Sequence, residues 1–533
     1  MSTSPAVARN TLDIAAALTE LLGADQVETA LDKRTFFSTD LSKQGATAAA
    51  VIRPHDARTL GAAVKLCSDH GVAVIPRGGG FSYTGGYVPQ TSDSVVVDLR
   101  GFDAILEINE VDMYVVTGTG VTWHDLYHAL KAKGLRTPYF GPMSGYSATV
   151  GGALSQGSFF LGSSQYGTVA ESVLALEVVL ADGSVVRTGS WGGADESSPF
   201  LRNFGPDFTG LFLSDTGALG LKTAVVLKLI PFPAHQAYAS FAFADEAAAI
   251  AAVSAVARLG IAAECYCWDP YFVKVMSTVT AGLAEELKIF ANVARGGGSF
   301  LGGLTNAAKL ALAGKRAFEA GDIFMLNLTV DDPTKVGAEA RMALLKSVAG
   351  EAGGREMTAS APMAMRGTPF MAFNTSERRT PLRSLPVHGL FPHSRLPAVA
   401  ADIRALLAEE APAMNAAGVN CGVILFGVGA QAVCIEPVFN WEDPQFFSHD
   451  RVAERSNLAA LDPATPPPEA TRITFETRAR LVALFQRHGA AHVQIGKSYP
   501  WLDSRAPRLR QLALALKAAV DPEGTINPGS LGF

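Results

Sequence analysis

A glycine-rich segment carries the strongest indication of chemistry in this chain. It reads Pro76-Arg77-Gly78-Gly79-Gly80-Phe81-Ser82-Tyr83-Thr84-Gly85-Gly86 and follows a short apolar run typical of a strand. Glycine tolerates the positive φ angles that let successive backbone N–H groups turn toward an anion. A flexible surface loop is the alternative. The G-x-G-x-x-G fingerprint and the Walker A motif are both absent, so a phosphate-binding role would require a different fold.

A second set of residues could bind a polar substrate or transfer protons, because polar side chains interrupt apolar segments. An arginine can grip a carboxylate through two hydrogen bonds, and a histidine can act as a base near neutral pH. Each residue also has a structural alternative, namely a surface charge, a hydrogen-bonded core histidine or a carboxylate paired for packing. The candidates are Arg366, His388, Glu436, Lys497 and Tyr499.

The elements that must position these residues fall into two patterns. Up to Pro233, short β-like runs alternate with helical ones, beginning with a strand at 50–54, a helix at 56–70 and a strand at 72–76. An Asp182-Gly183 turn predicts a hairpin. Beyond Pro233, alanine-rich helical blocks alternate with longer β-like runs, which indicates a second domain with an antiparallel sheet. A long helix from about residue 472, a strand at 492–495 and a final helix at 508–519 complete the chain.

Further glycine motifs follow the first loop in a fixed order. They are Thr149-Val150-Gly151-Gly152-Ala153, Tyr166-Gly167, Gly210-Leu211-Phe212, Thr216-Gly217-Ala218-Leu219-Gly220 and the closing Asn527-Pro528-Gly529. Together with the first loop, this order resembles the flavin-binding domain of the vanillyl alcohol oxidase / p-cresol methylhydroxylase (PCMH) superfamily. The branch with glycolate oxidase-type and D-lactate dehydrogenase-type flavoproteins is the most similar. The resemblance covers about residues 46–231 and the last sixty.

The resemblance implies an α+β fold, with a two-lobed PCMH-type FAD-binding domain and a substrate-binding cap domain that has an antiparallel sheet and flanking helices. We expect a helical lead-in over 1–45, the FAD domain over 46–231, the cap over 232–475 and a C-terminal segment over 476–533 that returns to the flavin. The residues that the resemblance places around FAD are Pro76, Arg77, Gly78, Gly79, Gly80, Phe81, Ser82, Gly85, Gly86, Pro142, Ser144, Thr149, Gly151, Gly152, Ser155, Gly220, Val225 and Asn527.

The mode of FAD attachment depends on one departure from the family pattern. Some members link FAD to a histidine directly after the triple glycine, and here that position is Phe81. Phenylalanine cannot form this bond, so we expect non-covalent, dissociable FAD. A covalent bond from a histidine or tyrosine of the second domain is the alternative.

The first functional hypothesis is transfer of a hydride from an alcohol carbon of a 2-hydroxy acid, such as D-lactate, to FAD. Arg366 or Lys497 would anchor the carboxylate, His388 would be the base, and Tyr499 and Glu436 would support it. Metal-dependent relatives carry an H-G-D-G-N-x-H run and a later E-H-G motif, and both are absent here. We therefore expect no metal in the mechanism.

Two alternatives remain open at this level. The first is oxidation of para-substituted phenols, as in vanillyl alcohol oxidase, with Tyr499 and Lys497 holding the phenolate. The acid that follows Tyr-Gly in that enzyme is replaced here by Thr168-Val169 after Tyr166-Gly167, which weakens this hypothesis. The second alternative is a flavin-binding protein without turnover.

Composition limits the remaining classes of function. The 533 residues are 48% hydrophobic and carry a net charge of −6, so nothing favours nucleic-acid binding. Five cysteines without framework spacing fit a reducing compartment, and we expect a cytoplasmic protein. Segment 296–317 could be a lid or an interfacial helix in peripheral membrane contact. The electron acceptor (oxygen, a quinone, a cytochrome or a flavoprotein) stays open, and so does the oligomeric state, although homodimers are common.

Overall fold

The computed structural model describes residues 13–194, 197–278, 322–370, 382–443 and 468–533. The segment 296–317, for which a lid and an interfacial helix were both considered, lies outside these residues. Within the described part of the chain, no helix combines the length and the apolar character that crossing a membrane requires.

The first lobe of the expected FAD domain is a sheet of order β1-β2-β4-β3 covered by helices. Strands β2 and β3 both run parallel to β4, whose residues are all buried, as expected for an apolar strand of a parallel sheet. Strand β1 pairs antiparallel with β2, so the predicted lead-in contributes a strand to this sheet. The elements are α1 (Ile14–Leu22), β1 (Val27–Glu28), α2 (Leu31–Phe37), β2 (Ala50–Ile52), α3 (Ala57–Asp69), β3 (Ala73–Arg77) and β4 (Ser94–Asp98).

The second lobe is an antiparallel sheet of order β5-β6-β10-β8-β9, with the short pair β7 and β11 beside it. The predicted hairpin is present, and Gly183 takes the positive φ of 82° that its turn needs. The elements are β5 (Ile105–Asn109), β6 (Tyr114–Gly118), α4 (Trp123–Lys131), β7 (Leu135–Arg136), α5 (Val150–Gln156), α6 (Ser163–Tyr166), β8 (Val173–Val179), β9 (Val185–Arg187), α7 (Phe208–Leu211), β10 (Leu221–Lys228) and β11 (Ile230–Pro231).

The cap domain is built on one large antiparallel sheet of order β15-β12-β14-β13-β18-β19-β16, and β17 also pairs with β19. The predicted α+β architecture is therefore confirmed. The elements are β12 (His235–Phe243), α8 (Glu246–Ala257), β13 (Glu264–Trp268), α9 (Pro270–Thr278), β14 (Phe324–Asp332), α10 (Lys335–Glu351), β15 (Arg355–Met357), α11 (Ser360–Gly367), β16 (Leu382–Pro386), β17 (Gly389–Pro392), α12 (Leu396–Ala416), β18 (Asn420–Val428) and β19 (Ala432–Glu442).

The C-terminal part returns to the FAD domain through two helices, α13 (Pro468–Arg487) and α14 (Pro507–Val520). After α14, Val74 donates its N–H to Thr525 and accepts one from Asn527, which fixes the chain end beside β3. The strand predicted at 492–495 is wrong. Gln494 has a φ of 50°, and its N–H bonds to Gln156 instead of a neighbouring strand.

Candidate active site and cofactor cleft

A cleft of about 910 Å³ opens where β3 ends. The glycine loop forms one wall, and the start of α5 with the preceding turn forms the opposite wall. This volume includes the space open to solvent at the mouth of the cleft. Most of the residues that the resemblance assigned to FAD line it, namely Pro76, Arg77, Gly78, Gly79, Gly80, Phe81, Ser82, Gly86, Pro142, Ser144, Thr149, Gly151, Gly152, Ser155 and Gly220.

The glycines are required by the close approach of the two walls. A Cβ atom on Gly79 would lie 2.2 Å from the carbonyl oxygen of Ser147, and one on Gly78 would lie 2.4 Å from Oγ1 of Thr149. Real Cβ atoms do not approach other heavy atoms this closely. Thr149 caps α5 by accepting the N–H of Gly152, so its side chain cannot move away without losing the cap.

Three residues assigned to FAD do not line the cleft. Val225 is buried within β10, paired on both sides, so its assignment is corrected to a core position. Gly85 turns the loop with a φ of 72° and donates its N–H to Asp40. Asn527 lies behind the wall, where its side-chain amide donates to the carbonyls of Gly86 and Thr216.

One buried acceptor fits a group with N–H donors in the cleft. Gln156 lines the cleft, and its side-chain oxygen is buried and has no hydrogen-bond partner among the described residues. A buried acceptor without a donor costs about 1–3 kcal/mol. FAD carries amide-type N–H and amino groups, so it can supply such donors.

A second group of polar side chains lies at one end of this cleft. Gln494, which lines the cleft, donates from Nε2 to the hydroxyl of Tyr83 at 2.9 Å. That hydroxyl lies 2.9 Å from Nε2 of His388. The carboxylate oxygen Oε2 of Glu436 lies 3.5 Å from the same nitrogen, and the Tyr499 hydroxyl accepts the backbone N–H of His388 at 2.9 Å. The structure thus brings together three predicted residues, His388, Glu436 and Tyr499.

Separate parts of the chain position these side chains. His388 lies in the break between β16 and β17, and Glu436 lies within β19, which pairs with both strands. Tyr83 belongs to the glycine loop. Tyr83 and Tyr499 pack in the same apolar cluster as the cap strands, so the cap and the FAD domain share one core at this point.

Burial determines the protonation states of the cluster. It lowers the pKa of His388 to about 3, with further contributions from His492 and Arg478. Burial raises the pKa of Glu436 to about 8 and keeps the pKa of the Tyr83 hydroxyl well above its usual value. At neutral pH the imidazole is therefore uncharged.

Arg366 does not reach this cluster, which corrects its predicted role as the carboxylate anchor. Its guanidinium donates to both oxygens of Glu264 and both oxygens of Asp331, and Arg136 donates to Asp331 as well. The Arg366 side chain is only 6% exposed. Two buried carboxylates take four of the five N–H donors of this guanidinium and offset its charge, which leaves it poorly suited to grip a substrate carboxylate. It instead ties α11 to strands β13 and β14 within the cap, and Arg136 connects Asp331 to the FAD domain.

Lys497 also lies apart from the cluster. Its ammonium group donates to the carbonyl of Val88 at 2.8 Å, behind the glycine loop. Burial, together with the neighbouring Lys43, lowers the pKa of Lys497 to about 8. The amine supports the loop that forms the cleft wall and is not in contact with His388.

Sequence reasoning missed four residues of the site. Tyr83 and Gln494 lie in segments that the sequence analysis examined for other residues. Tyr83 contacts His388, 305 residues away in the chain, and Gln494 contacts Tyr83, 411 residues away. The ring of His492 stacks on Tyr499 with centroids 4.2 Å apart. The guanidinium of Arg478 lies over the Tyr499 ring, 5.6 Å from its centroid. No local pattern reports contacts of this kind.

Two histidines one turn apart on α4, His124 and His128, contact each other edge to face with ring centroids 4.4 Å apart. Among the described residues, no group of three or more metal-binding side chains occurs, and all five cysteines are free thiols.

The walls of the cleft lead to a first prediction, Gly79→Ala. The new methyl group would meet the backbone of Ser147, which cannot yield as a side chain could. We expect FAD affinity to fall at least tenfold, measured by fluorescence titration of the apoprotein. Gly350→Ala is the matched control, because no heavy atom lies within 4 Å of its Cβ position on α10. Equal FAD affinity in the two variants would contradict the proposed wall.

The fold and the cleft define the class of protein: a two-lobed FAD domain combined with an antiparallel cap. The family description "FAD binding domain" matches residues 48–189. The chain is 32% identical over 224 residues to the glycolate oxidase subunit GlcD of Bacillus subtilis, covering 42% of this chain and 46% of that protein. It is 27% identical over 229 residues to the mitochondrial D-lactate dehydrogenase [cytochrome] 1 of Saccharomyces cerevisiae, covering 43% of this chain and 37% of that protein. The chain thus spans less than half the length of these curated relatives.

Solved structures match over nearly the whole length. p-Cresol methylhydroxylase with bound substrate has a TM-score of 0.72 at 18% identity, covering 98% of this chain and 96% of that one. The 4-ethylphenol oxidase from Gulosibacter chungangensis has a TM-score of 0.68 at 15% identity, covering 99% of each chain. At such identities the likeness shows the fold alone. Taken together, residues 48–189 match an FAD-binding domain family and the chain shares the fold of p-cresol methylhydroxylase, and these matches support an FAD-binding oxidoreductase with FAD as its cofactor.

Proposed function

We propose that this chain is an FAD-dependent oxidoreductase that oxidises the alcohol carbon of 2-hydroxy acids. The observation that carries the proposal is His388, a neutral and buried imidazole connected through Tyr83 to Gln494 at the cleft. FAD, when bound, accepts the hydride that leaves the substrate carbon. The protein must supply a group that takes the hydroxyl proton, and a neutral imidazole can do this at physiological pH.

The substrate class is supported by the relatives and by the charge of the site. Glycolate and D-lactate, named in the descriptions of the two relatives above, are both 2-hydroxy acids. Glu436 is the acid nearest to His388, and its pKa of about 8 keeps it protonated at neutral pH. The cluster therefore places no negative charge where it would repel a substrate carboxylate, and the Glu436 O–H can donate a hydrogen bond to it.

Anaerobic mixing with two donor panels tests this proposal through bleaching of the flavin absorbance band. One panel contains D- and L-2-hydroxy acids, and the other contains para-alkyl and para-hydroxymethyl phenols. Bleaching by one enantiomer of a hydroxy acid is the expected result. Bleaching by neither panel, with FAD bound, would reject the proposal and favour a flavin-binding protein without turnover.

Oxidation of para-substituted phenols is the second candidate, and the aromatic surroundings of His388 favour it. Phe159 packs edge-on to the His388 ring at 5.9 Å and to Phe426 at 5.6 Å. Two phenol hydroxyls, those of Tyr83 and Tyr499, lie beside the same histidine. Bleaching by phenols alone would reject 2-hydroxy acids as the substrate class and support oxidation of para-substituted phenols.

We also propose that FAD is held without a covalent bond. Phe81 lines the cleft at the position where some family members carry the linking histidine. Acid precipitation of the holoprotein should leave the yellow colour in the supernatant. A pellet that stays yellow after washing would instead show a covalent link formed elsewhere in the chain.

The raised pKa of Glu436 predicts a pH-dependent stability. Its carboxyl has a pKa of about 8 in the folded chain, against an ordinary value of 4.5. The folded state favours the protonated form of Glu436. Its contribution to the free energy of unfolding is therefore fully present below about pH 4.5 and is lost as the pH rises through 8. Because each pKa unit corresponds to about 1.4 kcal/mol, the loss should amount to a few kcal/mol.

Glu436→Gln removes this contribution, because glutamine does not ionise. Urea unfolding at pH 5 and at pH 8 should show wild type losing stability relative to the variant between the two values. Glu339→Gln, an exposed carboxylate on α10, is the control and should keep the wild-type dependence. Parallel curves for wild type and Glu436→Gln would reject the protonated state of Glu436.

A further inference from the structure

Gln494, Tyr83 and His388 form a hydrogen-bonded chain that begins at the cleft. Both links are 2.9 Å long. The three residues come from the C-terminal segment, the glycine loop and the cap. Gln494 is held in a left-handed conformation, and its own N–H bonds to Gln156. Its amide is therefore aimed at the Tyr83 hydroxyl by the backbone.

The direction of the chain follows from the groups involved. The side-chain nitrogen of Gln494 can only donate, so the oxygen of Tyr83 accepts. Tyr83 then has its single hydroxyl proton left to donate, and Nε2 of His388 lies within hydrogen-bond distance, 2.9 Å from the hydroxyl oxygen. A neutral imidazole that accepts at Nε2 carries its own proton on Nδ1. The hydroxyl of Tyr83 thus selects the Nδ1–H tautomer of His388.

The surroundings hold His388 in place for this contact. Its backbone N–H is bound by the Tyr499 hydroxyl, and its backbone carbonyl lies 2.7 Å from Nδ1 of His492. The Tyr83 ring stacks on the His388 ring with centroids 5.6 Å apart. The other titratable or charged groups that act on this cluster are Glu436, Cys434 and Arg478.

We propose that Tyr83 relays the proton of the substrate hydroxyl to His388. The substrate O–H donates to the second lone pair of the Tyr83 oxygen, whose first lone pair is taken by Gln494. As that O–H bond breaks, the proton of Tyr83 passes to Nε2 of His388, which becomes an imidazolium. The substrate loses one proton by this route and one hydride to FAD, and leaves as a carbonyl compound. This inference rests on the proposed function, because it assigns the proton path of that reaction.

The tautomer of His388 provides a test that needs no turnover. In the holoprotein labelled with ¹⁵N-histidine, and with His388→Gln used to assign the signals, His388 should be protonated on Nδ1 alone. In Tyr83→Phe the donor is lost, and the Nε2–H tautomer facing Glu436 should gain population. Tyr114→Phe is the matched control, because that buried tyrosine donates to Glu107 on a distant strand. An Nε2–H signal in wild type, or an unchanged signal in Tyr83→Phe, would overturn the proposal.

Flavin reduction by a donor found active provides the second test. Tyr83→Phe should lower its rate at least tenfold while the substrate concentration at half-saturation changes less. In mixtures of H₂O and D₂O, a plot of the wild-type rate against the D₂O fraction should be curved, because two protons move together. The same plot for Tyr83→Phe should be linear. A Tyr83→Phe rate within twofold of wild type would overturn the relay even if His388 remains essential.

The two tests separate failure of the relay from failure of the proposed function. If no donor reduces the wild-type flavin, the proposed oxidation fails. The NMR experiment then decides the Tyr83–His388 link by itself: the Nδ1–H tautomer supports its direction, and the Nε2–H tautomer overturns it.

Discussion

Replacing His388 by alanine is expected to slow anaerobic flavin reduction by about 10²- to 10⁴-fold, the usual contribution of a general base. The imidazole is a neutral acceptor connected through Tyr83 to Gln494 at the cleft, and burial keeps it neutral by lowering its pKa to about 3. Because protonation would occur only near that pH, the wild-type rate should show no fall between pH 8 and 5 that is due to His388. Stopped-flow absorbance of the flavin band measures both effects.

FAD content and folding must stay intact for that result to count. His388 does not line the cleft, so both His388→Ala and the bulkier His388→Gln should retain FAD. His70→Ala is the control, since this exposed histidine only bonds to the carbonyl of Leu66 at the end of α3. Near-normal reduction in His388→Ala with full FAD content would reject His388 as the base.

Replacing Arg366 by methionine is expected to destabilise the protein by about 3–5 kcal/mol, the usual cost of removing one partner from a buried ion pair. Glu264 and Asp331 would stay buried, with Arg136 as the nearest remaining cation. Burial alone would raise the pKa of Asp331, but Arg366 and Arg136 hold it below its usual value. Chemical denaturation monitored by fluorescence measures the change.

Two further variants show whether charge is the cause. Arg366→Met combined with Glu264→Met removes one charge of each sign and leaves Arg136 paired with Asp331, so part of the stability should return. Arg510→Met breaks an exposed pair with Asp503 and should cost at most about 1 kcal/mol. An Arg366→Met variant with wild-type stability and a greatly raised KM would restore Arg366 as the substrate anchor.

These two residues show why sequence reasoning separated the candidates poorly. His388 and Arg366 both appeared as single polar residues in apolar segments, a pattern equally typical of a catalytic group and of a buried structural one. The difference lies in their partners. His388 faces a hydroxyl that is itself linked to the cleft, whereas Arg366 faces two carboxylates that take four of its five N–H donors.

The cleft, in contrast, was almost entirely predictable. Its walls are built from glycines whose role depends on local backbone geometry, and such residues can be recognised by type and order. Val225 was misplaced because a buried β-strand residue leaves no local sign of which face it presents. The predicted strand at 492–495 failed because tertiary contacts of Gln494 overrode the apolar pattern around it.

The sequence by itself determined the α+β fold, the glycine-rich cofactor cleft and the absence of a histidine at Phe81, because these depend on residue type, periodicity and short-range spacing. The tertiary structure alone decided which polar residues meet. Tyr83, His388 and Gln494 are brought together by packing of the glycine loop, the cap and the C-terminal segment into one core. The pKa of His388 and that of Glu436 were likewise decided by that packing, since burial is a property of the assembled fold.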